Sequence, residues 1–410
     1  MKLVDLTEFY SQRGGGVRSH LSVKGHVSCQ RGHSHWVIAP GPEMTQENAI
    51  ELGPTAVGRS SILHVGGPSL PYDPTYHLLW RVGRVRSLVR RIRPDVLEIH
   101  SPYVAAAAGL SLERGRDFGI RTFVWHADFI DTYLRGGLER GLGRLLQPLG
   151  VASASGKVVD GVVEPLWAWV RTIAGGCDAT FAASRFQTEK LVAHGVPRVE
   201  HIGFGVETDV FTPERRDLAL RAALLAGKPG PLVLAIGRFA VEKRWDVVLD
   251  AYARLAARRP GARLVLLGDG PERAAMEART RGRDDVTFAG FEKDRVKLAS
   301  MLASGDVLLH GCPFETFGLG VAEAIAAGLP AVLPDQGGAA EQAHGPSVVL
   351  YPSGDAEALA HAADALLARP PDALREDARV TATAVPSVEA HFRALFDRYE
   401  ALLAERGHRC

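Results

Sequence analysis

The chain has 410 residues, 46% hydrophobic and 23% charged, which suits two or three globular domains and excludes a disordered, collagenous or coiled-coil chain. Lys plus Arg is 48 and Asp plus Glu is 47, a balance that argues against a dedicated nucleic-acid binder. Cys29, Cys177, Cys312 and Cys410 form no C-x-x-C pair, which fits a reducing compartment and neither a disulfide scaffold nor a zinc site. Lys2, Asp5 and Glu8 leave no apolar signal-peptide core at the start, and no uncharged apolar run is long enough to span a bilayer. These features read as a cytoplasmic protein.

Short apolar strands alternate with helical patterns. From Leu3 to Leu6 a strand is expected, then the glycine loop Gly14-Gly15-Gly16, then a helix from about Val17. Strands follow at Trp36 to Ala39, Val96 to His100, Thr122 to His126 and Ala179 to Ala183. A second series runs through Leu232 to Ile236, Leu264 to Leu267, Val286 to Ala289, Asp306 to Leu309 and Ala331 to Leu333. Such alternation predicts α/β architecture, with parallel sheets wrapped by helices on both faces. The polar stretch 212–230, ending in Gly-Lys-Pro-Gly, separates the two series. We expect domains over 1–205 and 206–385, with a last segment over 386–410.

Three features carry chemistry. Gly14, Gly15 and Gly16 let backbone N–H groups approach an anion at a helix start, although they equally suit a flexible turn. They do not form G-x-G-x-x-G, so a dinucleotide site is not supported. Arg238 and Lys243 follow the strand at Leu232 to Ile236 and could converge on a pyrophosphate or sit in a solvated charged loop. Glu315 and Glu323 flank a helix start near Gly318. Two carboxylates for hydroxyls around the N–H groups of Phe317, Gly318 and Leu319 suit a sugar nucleotide; first-turn acids complementing a helix dipole are the plainer reading.

The ordered set Gly14-Gly15-Gly16, Pro94-Asp95-Val96-Leu97-Glu98-Ile99-His100, Thr122-Phe123-Val124-Trp125-His126, Ser184-Arg185-Phe186 and Gly205-Val206-Glu207 resembles the retaining GT-B glycosyltransferases of family 4. Gly237-Arg238 with Lys243, Gly268-Asp269-Gly270-Pro271, E-x7-E at Glu315 and Glu323, and Gly328-Leu329-Pro330 extend the likeness over nearly the whole chain. The resemblance implies two Rossmann-like doubly wound domains facing a central cleft. The first would hold the acceptor and the second a UDP- or GDP-hexose, with the last helix, from about Val388 to Leu403, crossing back to the first domain. It assigns Arg238 and Lys243 to the diphosphate, so no metal or other cofactor is needed. Glu323 falls to the ribose, Glu315 to the donor sugar, and Phe317, Gly318 and Leu319 offer backbone donors. Gly15 and Gly16 face the phosphate or sugar, Phe291 lies where the main chain meets the base, and His126 lies beside the transferred sugar. The implied chemistry is front-face transfer of a hexose with retention, onto a glycan, lipid-linked or small-molecule acceptor in glycoconjugate or polysaccharide synthesis. A retaining glycosidase would instead need two carboxyls about 5 Å apart, which a helix start between Glu315 and Glu323 disfavours.

Other readings stay open at this point. A sugar-nucleotide epimerase of the same architecture or a non-catalytic sugar-nucleotide binder would share many of these features. His33 and His35 read as a helix exit feeding a strand rather than as metal ligands. Asp128 and Asp131 could touch the acceptor, act as a base, or simply cap or solvate a loop. Residues 81–93 hold six arginines and no acid, with Val82, Val85, Val89 and Ile92 as an apolar stripe. That helix packs on its own sheet, or it makes a peripheral contact with anionic lipid at the inner face of a membrane.

Overall fold

The computed structural model describes residues 1–10, 16–48, 58–70, 73–126, 128–130 and 155–407. The chain divides into two units: Met1–Gly203 with Glu389–Cys410, and Phe204–Val388. Strands in chain order are β1 (Lys2–Leu6), β2 (Ser34–Gly41), β3 (Thr45–Asn48), β4 (Arg59–Gly66), β5 (Ser69–Leu70), β6 (Asp73–His77), β7 (Val96–Ile99) and β8 (Ile120–Trp125). They continue with β9 (Ala179–Ala182), β10 (Val199–His201), β11 (Leu232–Ile236), β12 (Arg263–Leu267), β13 (Val286–Gly290), β14 (Val307–Leu309), β15 (Ala331–Pro334) and β16 (Val348–Tyr351).

The first unit is built on a sheet in the order β10-β9-β8-β7-β1-β2-β4-β3. All neighbours in it are parallel except β3, which runs antiparallel to β4. Parallel strands covered on both faces read as continuous apolar runs, and β7 and β8 are buried throughout. On one face Val4, Leu6, Ile38, Val65 and Leu97 pack against Val85, Leu88 and Val89 of the helix Val82–Ile92. Leu88 replaces Val82 and Ile92 in the buried stripe; those two are half-buried at its ends. Around Trp125, the residues Phe123, Trp167, Val170 and Ile173 form a second cluster with the helix Ser155–Gly175. The opposite face is polar at its centre. Asp5 on β1 stands in register beside Glu98 on β7, and Glu98 beside Thr122 on β8. The helices Gly16–Gln30 and Val388–Glu405 bring Lys24 and Tyr399 onto that row.

The second unit is a parallel sheet in the order β13-β12-β11-β14-β15-β16. Its core joins Val233, Leu264, Leu266, Val307 and Val332 to Trp245, Val248, Tyr252 and Leu359 of the helices Trp245–Arg258 and Ala356–Leu367. In both sheets the strand order reverses beside the first strand, between β1 and β7 and between β11 and β14. Ligands of open α/β sheets bind outside the carboxyl ends of the strands at such switch points.

Candidate functional site

In the second unit, the loops leaving β11 and β14 straddle the switch point. The first runs through Gly237 and Arg238 to a turn of 3-10 helix at Val241–Lys243. Trp245 Nε1 donates to the Arg238 carbonyl over 3.0 Å and ties this loop down. The second holds His310, Cys312 and Glu315. Its backbone is clamped by the loop after β15, where the Gly338 N–H donates to the Glu315 carbonyl over 2.7 Å. A Cβ at Gly338 would lie 2.4 Å from the Thr316 carbonyl oxygen, so only glycine permits this approach.

These loops bring Lys243 and Glu315 together, with Nζ 2.5 Å from Oε1. His310 Nε2 lies 3.4 Å from the same oxygen. Burial raises the Glu315 carboxyl, but Lys243 and then His310 outweigh it and hold the group well below the usual carboxylate range. Burial likewise works against the Lys243 ammonium, and Glu315 overcomes it and raises its pKa. Neighbouring Cys312 is pushed up to about 12 by burial, so it stays a thiol.

Next along the chain, Gly318 adopts φ +90 and caps the helix Leu319–Ala326. The first N–H groups of that helix have no intrahelical acceptor and carry its positive end. Phe317 is buried, edge-on to Phe204 at 5.5 Å. Glu323 accepts from Arg295 Nη1 at 2.9 Å, and Arg295 Nε also donates to Glu207 at 3.0 Å. The Arg295 guanidinium lies 4.6 Å from the Phe211 ring centre. Burial raises the Glu323 pKa, Glu207 adds to it, and Arg295 only partly compensates. Arg238 is exposed, and Phe291 just beyond β13 is 56% exposed.

In the first unit, Gly16 begins the helix Gly16–Gln30, while Gly14, Gly15 and Asp131 lie outside the described residues. His126 follows β8, and its Nε2 is 2.6 Å from His100 Nδ1. Burial first, then His100 and Lys24, hold the His126 imidazole well below the usual histidine pKa. Behind it, fully buried Lys24 grips Asp5 at 2.8 Å and Glu98 at 2.7 Å. His35 is committed to Asp5 at 2.7 Å, and His33 faces the Met1 amino group at 3.1 Å, so the two histidines of the H-x-H address different partners. Asp128 is buried and paired with Lys190. At this unit's switch point Glu8 accepts from Ser101 Oγ and, over 2.6 Å, from the Ala105 N–H. Burial pushes Glu8 up to about 7 against those hydrogen bonds.

Two clusters among the described residues have metal-ligand composition: His310 with Cys312 and Glu315, and Asp5 with Glu98 and His100. In each, a lysine ammonium already occupies the carboxylates, which places a fixed cation where a metal would compete. What the second-unit arrangement can do is bind an anion between a lysine and a helix start, and hold hydroxyls on two half-buried carboxylates. Sequence reasoning missed Arg295, His310, Lys24, Asp5 and Glu98 as partners. The available signal was a charged residue in the middle of an apolar strand, at Asp5 and again at Glu98.

Residues 14–210 match the family model described as Glycosyltransferase Family 4, and residues 230–369 one described as Glycosyl transferases group 1. A "GDP-mannose-dependent alpha-(1-6)-phosphatidylinositol dimannoside mannosyltransferase" of Mycobacterium tuberculosis is 30% identical over 386 residues, covering 92% of this chain and 91% of that protein. A "GDP-mannose-dependent alpha-mannosyltransferase" of the same species is 30% identical over 331 residues, covering 80% and 78%. Among solved structures, the sucrose-phosphate synthase of Thermosynechococcus elongatus matches with a TM-score of 0.73 at 19% identity, covering 98% of this chain and 99% of that one. That likeness concerns the fold, a GT-B pair of α/β domains.

Proposed function

The chain belongs to glycosyltransferase family 4, and from that premise we propose that it moves a mannosyl residue from GDP-mannose to a phosphatidylinositol-mannoside type of lipid acceptor, with retention and without a metal. The observation that carries transfer from a nucleotide diphosphate sugar is the Lys243–Glu315 pair on the switch point of the second unit, beside the helix start at Leu319. The choice of mannose and GDP rests on what the two mycobacterial relatives are named for, and that of a lipid on the name of the first.

In this reading Arg238 and Lys243 neutralise the diphosphate as it leaves. The N–H groups of Phe317, Gly318 and Leu319 take phosphate or sugar oxygens. Fixed cations and aligned N–H groups need no reorganisation as charge develops. Glu323, steadied by Arg295, receives the ribose hydroxyls, and the main chain at Phe291 meets the base. Glu315 stays ionised, binds hydroxyls of the mannose and steadies positive charge at the anomeric carbon. His126 lies beside the sugar. The acceptor hydroxyl attacks the face the diphosphate leaves, the anomeric carbon–oxygen bond to phosphate breaks, and the departing phosphate oxygen takes the proton.

The test is a product assay with GDP-mannose, UDP-glucose, UDP-galactose and ADP-glucose against phosphatidylinositol mannosides in detergent. Product from GDP-mannose alone, α-linked by NMR and unchanged by EDTA, is the expected result. Transfer only from a UDP- or ADP-sugar, a β-linked product, or a loss under EDTA restored by metal overturns the corresponding part.

We extend the proposal to a peripheral membrane contact. Among the described residues no helix is long and apolar enough to cross a membrane. The helix Val82–Ile92 buries its apolar stripe on its own sheet and leaves Arg81, Arg84, Arg90 and Arg91 exposed at or beside it. Trp80, 60% exposed, stands before it with the Arg81 guanidinium 5.7 Å from its ring centre. An arginine face with a tryptophan at its edge suits an anionic headgroup layer. Sedimentation with phosphatidylglycerol vesicles, weakened by salt and by Arg84→Glu/Arg91→Glu, is expected; equal sedimentation with phosphatidylcholine vesicles overturns it.

A further inference from the structure

The family reading gives His126 a place beside the sugar but says nothing of what fixes the ring. A histidine just past a strand end has two free torsions and two interchangeable nitrogens, and a group beside a reacting centre needs one of each. Here the ring has a definite anchor. His126 Nε2 lies 2.6 Å from His100 Nδ1, and the two rings are stacked with centres 4.9 Å apart. His100 is itself fully enclosed, with its Nε2 3.4 Å from Asp5 Oδ1 and 3.4 Å from Glu98 Oε1. Those carboxylates can only accept, so His100 turns an N–H towards them and meets His126 through Nδ1. They are held in turn by Lys24, by Thr122 Oγ1 at 2.8 Å and by Tyr399 Oη at 2.5 Å on Glu98, and by His35 on Asp5.

We propose that His100 is a positioning residue for transfer, locking the orientation of the His126 ring through its Nε2. The inference rests on the reading of His126 as a group beside the transferred sugar. Sheet register builds the device: β1 and β7 set Asp5 beside Glu98, and Lys24 bridges them. His100 and His126 then emerge from the adjacent ends of β7 and β8. Among the described residues, the groups facing His126 include His100, His20 from the helix Gly16–Gln30, His391 from the helix Val388–Glu405, and Lys24 and Asp5 behind them. Burial holds His20 well below the usual histidine range and takes His391 down to about 4. Burial thus favours the neutral form of His126, His20 and His391.

The experiment compares His100→Phe, His100→Asn and His126→Ala, with kcat and KM for GDP-mannose measured from pH 5 to 9 and melting curves as the fold control. His100→Phe keeps the ring volume and loses both contacts; the expected result is a kcat lowered roughly 10–100-fold with KM nearly unchanged. Losing the group that its Nε2 meets changes the proton affinity of His126, so the acid limb of kcat shifts, which loss of packing alone does not do. His100→Asn keeps a polar atom near the Nδ1 position and should restore most of the loss. A His100→Phe enzyme with wild-type kcat and acid limb, beside an inactive His126→Ala, overturns the proposal. An active His126→Ala overturns instead the reading of His126 on which it rests. Should His100→Phe fail to fold, ring-nitrogen NMR of the wild type decides: His126 is expected neutral with Nε2 hydrogen-bonded at pH 6, and an ordinary histidine titration there overturns the inference.

Discussion

Lys243→Ala is expected to lower transfer by roughly 10²–10³-fold while the second unit stays folded. Two losses combine. The leaving diphosphate loses a fixed cation, and Glu315 loses the partner that keeps its carboxylate ionised. Because charge on the leaving oxygen grows towards the transition state, kcat should fall more than KM rises. Breaking a buried pair costs about 3–5 kcal/mol. The low end applies here, since the lysine side chain keeps 21% exposure and His310 still faces Glu315. Against a domain stability of about 5–15 kcal/mol the variant remains folded. The pH dependence has a definite sign. Glu315 is held below its unfolded value, so its contribution is fully present above about pH 4.3 and is lost as pH falls through the lower folded value. The melting-point gap between wild type and Lys243→Ala should therefore be widest at neutral pH and narrow in acid. Near-wild-type turnover in this variant removes Lys243 from the site.

What was legible in the sequence was what is local in it. Arg238, Lys243, Glu315 and Glu323 announce themselves because each follows a strand end or begins a helix within a few residues. Spacing along one loop survives folding. The strand β4 escaped because Ser60, Ser61 and His64 break its apolar run, although it pairs with β2 along its whole length. The short β16 was not read as a strand either. Partnerships across the fold were illegible for a different reason. Arg295 meets Glu207 from 88 residues away, and Lys24 meets Asp5 and Glu98 from 19 and 74 residues away. Only the strand order and register set these distances, and no linear spacing encodes them. The arginine helix lay between the two cases. Its 3.6-residue stripe gave the buried face correctly in outline, while packing against β4 and β7 selected Leu88 over the end residues.

The polar row under His126 also carries the largest stability effect to be expected in the first unit, on replacing Lys24 by methionine. Asp5 and Glu98 sit in register on neighbouring strands with no exposed surface, and the Lys24 ammonium is their common counter-charge. Methionine fills the volume and leaves two buried carboxylates facing each other, at a cost of about 3–5 kcal/mol or more. That is a large part of a typical domain stability of about 5–15 kcal/mol. In the wild type, burial works against both ions. Lys24, His35 and His100 nevertheless hold Asp5 well below its ordinary value, and Asp5 and Glu98 raise Lys24. The Asp5 contribution is then complete above about pH 3.9 and lost below it as the folded value is passed. The Lys24 contribution is complete below about pH 10.4 and lost as pH rises through the raised folded value. Wild-type stability should be level in this group's terms from pH 5 to 9. Lys24→Met should behave oppositely, gaining stability from pH 8 to pH 5 as a carboxyl takes up a proton that the buried site now favours. Urea unfolding followed by circular dichroism at both pH values reads this directly. Adding Asp5→Asn and Glu98→Gln to Lys24→Met should recover most of the loss, because neutral amides do not require a counter-charge. A Lys24→Met protein as stable as wild type at pH 8 would mean that these carboxylates are not ionised in the folded unit, and the anchor of His100 would go with them.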